Sequence, residues 1–477
     1  MATSDDVSKV ARAFPTRYLP GPEIRDMPDE PSGYRRLIGP GIIAAGVGLA
    51  SGEFVLFPYI ASQVGLVFVW AALVGLITQY FINMEIERYT LATGETALTG
   101  FSRYWRHWGL FFAILTYFAN LWPGWVTSSA SLTTYIFGGN RTVIAVCMLI
   151  VIGLILTLAP VVYVALEKAQ MIKVAAVLTF FVIAAIFAIG ANAWSDLPQV
   201  VTQPRLPIDE LGFALLLGAL AFAGAGGGQN LVQSNWIRDK GFGMGKYVPR
   251  LVSPITGQPE AAPSTGYAFE PTPENLKRWR GWWRFANIEQ LSTFVAITFV
   301  TILFTSLLAY STVFGRDGLE NSIGFLEIEG QVLADRVGSW FQYLFWIIGA
   351  FSLFAAALGI VDYTSRLAAD VVKTSYARNA NESKVYAGLV WGLVAIGIVI
   401  LLIGVTQPIV LLVISAVVGG FMMFLYSGLL ILVNRKTLPK PVRVRGVRLG
   451  ALVWSILLFG TLSALTFRDQ LGKLFGE

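Results

Sequence analysis

Apolar runs long enough to cross a lipid bilayer recur along most of this chain. A crossing helix needs roughly 17–25 mostly apolar residues, and about eleven runs meet that length. They lie near residues 35–63, 66–92, 108–137, 141–159, 161–190, 209–237, 283–313, 338–375, 385–404, 408–434 and 447–466. Only 13% of the residues are charged and 55% are hydrophobic, which excludes a soluble enzyme. The sequence therefore predicts an all-α polytopic membrane protein with about eleven transmembrane helices.

Lysine and arginine are concentrated in alternate predicted loops. Basic residues cluster near positions 9–36, 103–106, 238–284 and 435–448, whereas the largest of the other loops is acidic. Cytoplasmic loops are enriched in Lys and Arg, so this asymmetry predicts a cytoplasmic N-terminus and an extracytoplasmic C-terminus. The expected location is a bacterial inner membrane.

Three parts of the chain follow from this arrangement. Residues 1–33 are polar without an apolar core, so they are expected to form a mobile cytosolic tail and no signal peptide. Residues 34–466 form the transmembrane core, and residues 467–477 form an extracytoplasmic tail. A proline-rich segment, 241–280, is expected to be an irregular cytosolic insert. Its basic and aromatic end, 277–285, predicts an interfacial anchor and no nucleic-acid contact.

Two of the apolar runs are interrupted near mid-membrane. Gly39–Gln63 breaks at Ala50–Glu53, and Gly212–Trp236 breaks at Gly224–Asn230. Irregular backbone at membrane depth is tolerated only where it is buried in protein or lines a cavity. The interrupted runs are numbers one and six, so they begin on opposite sides of the membrane. This predicts two five-span repeats of inverted topology, with the substrate site between the two breaks.

The two breaks carry the candidate ligands. The predicted substrate-binding residues are Ala50, Ser51, Gly52, Glu53, Gly226, Gly227, Gln229 and Asn230. A carboxylate in mid-span is costly and by default marks a binding site, although Glu53 would also suit the start of the second half-helix as a cap. The glycines leave room for a ligand or, alternatively, for close helix packing.

The donor atoms at these breaks are oxygens. Glu53, Gln229 and Asn230 are the candidate metal ligands, and carboxylate, amide and carbonyl oxygens suit hard cations such as Mg²⁺. A single histidine and a single cysteine exclude a His- or Cys-based cluster. No nucleotide-binding motif occurs, so no cofactor is expected. Tyr117, Asn120, Glu289 and Asp362 are the candidates for gating or an ion path, and for Asp362 a salt bridge with Arg366 is the favoured interpretation.

The motifs around these breaks resemble the Nramp divalent-metal transporters. The similar features are Gly39-Pro40-Gly41 before the first break, Thr93-Gly94 after the second span, Leu166-Glu167-Lys168, Ile288-Glu289 and the small residues of Gly359–Val372. The resemblance covers roughly residues 34–466. It implies a leucine-transporter-type fold with broken helices 1 and 6, and transport of a metal ion.

The motifs also differ from the family pattern. Ala50–Glu53 stands at the family's Asp-Pro-Gly-Asn, and Gly227–Asn230 stands at its Met-Pro-His-Asn. Tyr117 and Asn120 stand near the third-span acidic residues associated with proton movement. The resemblance is therefore to a divergent branch similar to the Nramp-related magnesium transporters, without proton coupling.

The predicted function is a secondary transporter or facilitator of a divalent cation, with Mg²⁺ favoured and Mn²⁺ as the other candidate. A transporter of a small organic solute such as an amino acid or amine is one alternative, because broken helices present amides and carbonyls to charged groups equally well. A non-transporting sensor on the same scaffold is the other. We expect a monomer with the lipid bilayer and the transported ion as its partners.

Overall fold

Eleven helical spans occupy the predicted positions in the part of the chain that is described. A computed structural model describes residues 10–30, 39–50, 52–159, 162–248, 251, 255, 265–316, 319, 323–405 and 408–475. Nine helices of this part are long and apolar enough to cross a membrane. The second and sixth positions are taken by Trp70–Thr93 and by the helix pair Ile208–Ala221 and Gly228–Lys240.

The helices follow one another with short connections. The first half contains α1 (Pro40–Gly48), α2 (Phe57–Val64), α3 (Trp70–Thr93), α4 (Ala97–Ser102), α5 (Trp108–Asn120), α6 (Gly124–Phe137), α7 (Arg141–Leu158), α8 (Val162–Phe187), α9 (Ala191–Asp196) and α10 (Gln199–Thr202). The second half contains α11 (Ile208–Ala221), α12 (Gly228–Lys240), α13 (Pro273–Glu289), α14 (Ala296–Thr312), α15 (Phe325–Arg336), α16 (Ser339–Val371), α17 (Glu382–Leu402), α18 (Pro408–Lys436) and α19 (Val447–Phe475).

Several spans are built from more than one helix. Span one joins α1 to α2 through the π-helical turn Gly52–Leu56, and span seven joins α13 to α14 through the π-helical turn Gln290–Val295. Span three is divided between α5 and α6 at Pro123. Proline lacks the amide hydrogen that a continuous helix needs there. The turn in span one is buried, whereas Leu291 in the turn of span seven is 47% exposed.

Residues 10–30 of the N-terminal tail, which the sequence predicted to be mobile, lie against one end of the bundle. We call residues 10–30 the strap and this end of the bundle the strap face. Strand β1 (Glu23–Ile24) pairs in parallel with β2 (Tyr267–Ala268) of the proline-rich insert. The Trp282 indole donates to the carbonyl of Pro28 at 3.0 Å. These contacts hold the described part of the tail in place.

The proline-rich insert is also more regular than predicted. Helix α13 begins at Pro273, with Thr272 as its N-cap, so the basic and aromatic stretch 277–285 is helical. Asn275 of this helix accepts a hydrogen bond from the amide of Met27 at 3.0 Å. Span seven therefore extends beyond the predicted start at residue 283 and carries a binding surface for the strap.

Candidate substrate site

The first break lies where α1 ends and a π-helical turn begins. Helix α1 ends at Gly48, the next helical residue described is Gly52, and Ser51 lies outside the described residues. Three carbonyl oxygens in and just after α1 accept hydrogen bonds from side chains. They are Ala44 O from Gln229 Nε2 at 2.7 Å, Gly46 O from Lys173 Nζ at 2.5 Å, and Leu49 O from Ser352 Oγ at 2.9 Å. The ends of the broken helix are thus satisfied from within the protein.

Glu53 is the unsatisfied group of the first break. Its side chain is fully buried, and neither carboxylate oxygen has a hydrogen-bond partner. A Cβ atom at Gly48 would lie 3.2 Å from Glu53 Oε1, so the carboxylate reaches back over the end of α1. The buried hydroxyl of Thr298 of α14 lies beside it and interacts with the carboxylate. Glu53 therefore has free acceptor capacity at the centre of the fold.

Lys173 supplies the positive charge that faces this carboxylate. It belongs to α8, is fully buried, and interacts electrostatically with Glu53 while donating to the carbonyl of Gly46. An ammonium group has three donors, so this hydrogen bond leaves further capacity. The first break thus contains one buried acidic side chain and one buried basic side chain.

The two breaks touch each other through glycine. A Cβ atom at Gly48 would overlap the carbonyl oxygen of Gly224, and a Cβ atom at Gly52 would overlap that of Phe222. The absence of side chains therefore lets the interrupted backbones of spans one and six cross in contact. The structure thus brings together the two regions that the sequence paired.

The second break is held by span two. Gln79 of α3 donates to the carbonyls of Leu220, Ala221 and Ala223 at 3.0–3.2 Å. Its own carbonyl oxygen accepts the amides of Ala225 and Gly226 at 3.0 and 2.9 Å. One side chain thus makes five hydrogen bonds to the interrupted backbone and replaces the missing helical bonds.

Glycine is required at this second break. Gly224, Gly226 and Gly227 have φ values of 114°, 78° and 49°. Residues with a side chain rarely adopt this left-handed region. The glycine-rich sequence is therefore needed for the backbone conformation of this break, in addition to leaving room for a ligand.

The predicted amide ligands of span six are engaged with other residues. Asn230 Nδ2 donates to Asn83 Oδ1 at 2.6 Å, and Asn230 Oδ1 accepts from the Tyr426 hydroxyl at 3.2 Å. The same hydroxyl donates to the carbonyl of Gly227 at 3.2 Å. Gln229 reaches the end of α1, as described above. The assignment of Gln229 and Asn230 as ligands remains a prediction, and it requires these bonds to be exchanged.

Two of the residues predicted for an ion path, Tyr117 and Asn120, belong to α5 of span three. Asn120 donates to Tyr363 and Thr364 of span eight at 2.9 Å each, and Tyr117 donates to the carbonyl of Leu389 at 2.9 Å. Both fasten span three to its neighbours. Their role in an ion path stays a prediction.

Glu289 lies on the strap side of the first break. Its Oε1 accepts the amide of Gly41 at 2.8 Å, close to the start of α1, and its Oε2 has no hydrogen-bond partner. Glu87 of α3 acts on it electrostatically and is also buried with both oxygens unpartnered. The role of Glu289 in an ion path stays a prediction.

Asp362 belongs to an ion-pair network that closes the strap face. The expected salt bridge from Arg366 to Asp362 is present at 3.0 Å, and Arg366 also pairs with Asp239 of span six. Nearby, Arg238 pairs with Asp370 at 2.6 Å. All of these residues are buried. Since a buried pair loses much of its attraction to desolvation, these contacts specify a closed arrangement more than they stabilise it.

Aromatic side chains close the opposite end of the site. Phe54, in the turn after the first break, stacks on Phe345 of α16 with ring centroids 5.9 Å apart, and Phe180 stands 5.9 Å from the same ring. Helix α15 covers this layer with Glu329, which is buried beside it. Burial raises the pKa of Glu329 to about 8, against a smaller opposing effect of the Thr312 hydroxyl. Glu53 is therefore enclosed from both ends.

Sequence reasoning missed the partners that define the site. Lys173 and Gln79 are polar residues in mid-span, a signal that was available in the sequence. Tyr426 carries no such signal, because tyrosine is common in apolar spans.

Comparisons with known proteins give the fold and a partial family match. The family described as Amino acid permease matches residues 290–468, less than half of the chain. No curated protein sequence matches. A mutant of the Eremococcus coleocola manganese transporter is similar in structure with a TM-score of 0.69 and 12% identity, over 96% of this chain and 91% of that one.

Two further solved structures share the architecture. A nucleobase-cation-symport-1 family transporter with bromovinylhydantoin bound has a TM-score of 0.53 and 11% identity, over 92% of this chain and 95% of that one. The protein MhsT in complex with L-phenylalanine has a TM-score of 0.51 and 12% identity, over 92% and 99%. These likenesses concern the fold, and they confirm the predicted leucine-transporter-type architecture.

The predicted membership of the Nramp family is wrong. The family that matches part of the sequence is the amino acid permease family, and the likeness to a manganese transporter rests on 12% identity. The glycine and proline positions that carried the resemblance are ones that broken membrane helices need for backbone reasons. They indicate the fold and leave the family open.

Proposed function

We propose that this protein is a secondary transporter of a small organic solute that carries both an amine and a carboxylate, as an amino acid does. The observation that carries the proposal is the first break, where a buried carboxylate with free acceptors, Glu53, faces a buried ammonium, Lys173. The amine of the solute donates to Glu53. Its carboxylate receives the remaining donors of Lys173 and the amides at the start of the second half-helix.

The charge count favours this class of solute over a metal ion. Glu53 and Lys173 together are neutral, and a zwitterion keeps the enclosed site neutral. A divalent cation would leave a net charge of about +2 in a region from which water is excluded, which is costly at low dielectric.

The donor set also favours an organic solute. The carbonyls in and just after α1 that could coordinate a cation already accept hydrogen bonds from Gln229, Lys173 and Ser352. In the part of the chain that the structure describes, no group of three or more His, Cys, Asp or Glu residues is arranged to hold a metal ion. The partial match to the amino acid permease family supports the same class.

The predicted transport of Mg²⁺ or Mn²⁺ remains a prediction and forms the competing arm of the test. Purified protein is reconstituted in liposomes, and uptake of a set of radiolabelled L-amino acids and amines is compared with uptake of Mn²⁺ and Mg²⁺. Saturable uptake of an organic solute supports the proposal. Saturable flux of the metal ions alone would overturn it, and absence of any flux would favour a sensor.

A further inference from the structure

An open pocket on the strap face gathers three arginines from three separate segments. It has a volume of about 590 Å³, and its lining includes Arg17 of the strap, Arg106 from the loop before α5, and Arg378 from the loop before α17. No acidic residue is among its described lining residues. We call it the arginine pocket. The arginine pocket is remote from Glu53, and it plays no part in the proposed function.

Each arginine is held in place without being neutralised. The Arg106 guanidinium lies 4.8 Å from the ring centre of Tyr376 and donates to the carbonyl of Ser375 at 3.3 Å. Arg378 donates to the carbonyl of Tyr18 at 3.1 Å, and Arg17 lies 5.1 Å from the ring of Tyr18. None of the three forms an ion pair with a described residue. A guanidinium has five N–H donors, so most of them remain available to a ligand.

The surroundings place the arginine pocket at the membrane–water boundary. Trp105, next to Arg106, is 44% exposed, and Tyr376 is 37% exposed. Exposed tryptophan and tyrosine beside the end of a span are typical of the headgroup layer. Basic pockets between spans at this level bind lipid headgroups.

We propose that Arg17, Arg106 and Arg378 form a binding site for a phosphate group, contributed by an anionic phospholipid or by a soluble phosphate compound. Guanidinium groups match the geometry of phosphate oxygens, and three of them converge here without a carboxylate. Because one arginine comes from the strap and two from the bundle, a bound phosphate fastens the strap to loops on either side of it. The ligand therefore stabilises the closed strap face.

The test measures ligand binding to the full-length protein in a zwitterionic detergent. Short-chain phosphatidylglycerol, short-chain phosphatidylcholine and pyrophosphate are titrated against wild type, the triple variant Arg17→Gln/Arg106→Gln/Arg378→Gln, and the control Arg12→Gln. Arg12 is an exposed arginine of the same strap that does not line the pocket. Size-exclusion chromatography confirms that each variant is folded.

The proposal expects affinity to fall about fivefold for each arginine removed and to stay unchanged in Arg12→Gln. Preference for phosphatidylglycerol over phosphatidylcholine that is lost in the triple variant identifies a lipid as the source. Binding of pyrophosphate alone, lost in the same variant, identifies a soluble phosphate. Binding that is equal in the triple variant and wild type, or absent for every probe, would overturn the proposal.

Discussion

The two helix breaks interrupt spans one and six in corresponding positions and have opposite chemistry. The break in span six is rich in glycine, and Gln79 makes five hydrogen bonds to its backbone. The break in span one keeps a buried carboxylate, Glu53, with no hydrogen-bond partner. The backbone of the break in span six is therefore held by hydrogen bonds, whereas the break in span one keeps a carboxylate that is free to bind a ligand. An interrupted helix by itself does not identify where a ligand binds.

The largest expected effect is on Glu53. Glu53→Gln should reduce solute uptake roughly 100-fold, because a charged acceptor for the solute's amine is replaced by a neutral one. Thermal stability should change little, because the carboxylate has no hydrogen-bond partner to lose and Lys173 keeps its hydrogen bond to the carbonyl of Gly46. Glu327→Gln, an exposed position on α15, is the matched control. Loss of stability together with uptake would instead make Glu53 a structural cap.

The opposite pattern is expected for Gln79. Gln79→Leu should lower the free energy of unfolding by about 2 kcal/mol, because buried backbone groups at the second break lose their partner. The decrease is measured by thermal unfolding in detergent, with the exposed Gln203→Leu as control. A variant that is as stable as wild type but fails to bind solute would make Gln79 a ligand, and the contrast between the breaks would disappear.

The pairing of Glu53 with Lys173 gives a smaller effect. In a double-mutant cycle of Glu53→Gln and Lys173→Gln, the two changes should couple by about 1 kcal/mol in solute binding, since removing one charge leaves the other unbalanced. Lys168→Gln, exposed on the same helix, should not couple with Glu53→Gln. Additive effects at Lys173 would mean that the two charges act independently.

The smallest expected effect is on the pH dependence of stability, and it comes from Glu329 of α15, the helix that covers the site. In the folded protein the pKa of Glu329 is about 8, whereas in the unfolded chain it is near 4. Between about pH 4 and 8 the folded protein therefore binds a proton at Glu329 that the unfolded chain has released. Stability should therefore fall as the pH rises through this window, and Glu329→Gln should remove that part of the fall. Melting temperatures from pH 5 to 8 measure it. An identical pH profile in the variant and in wild type would contradict this description of α15.

Much of the fold follows from the sequence because the bilayer allows few alternatives. Length and hydropathy predict the spans, and the positions of the two interrupted runs predict the architecture. The bound strap was not predicted, because its contacts are mostly made by backbone carbonyls such as that of Pro28, for which any residue would serve. Composition alone indicates a mobile segment there.

The site was only partly predictable. Glu53 stands out because a carboxylate in an apolar span is rare. Gln79 and Lys173 lie on other spans, and their convergence on the breaks depends on how distant helices pack. The amides Gln229 and Asn230 were chosen for their position beside the break, yet their side chains bond to α1, span two and Tyr426. Sequence proximity to a break does not reveal which groups remain free.

The most direct measurement is the change in melting temperature that an L-amino acid or amine produces in wild type and in Glu53→Gln, with Mn²⁺ and Mg²⁺ as competitors. Ligands that bind the folded state raise its melting temperature by mass action. We predict a saturable rise with an organic solute in wild type, its loss in Glu53→Gln, and no effect of either metal ion. A rise with Mn²⁺ or Mg²⁺ alone that requires Glu53 would contradict the account and assign the first break to a divalent cation.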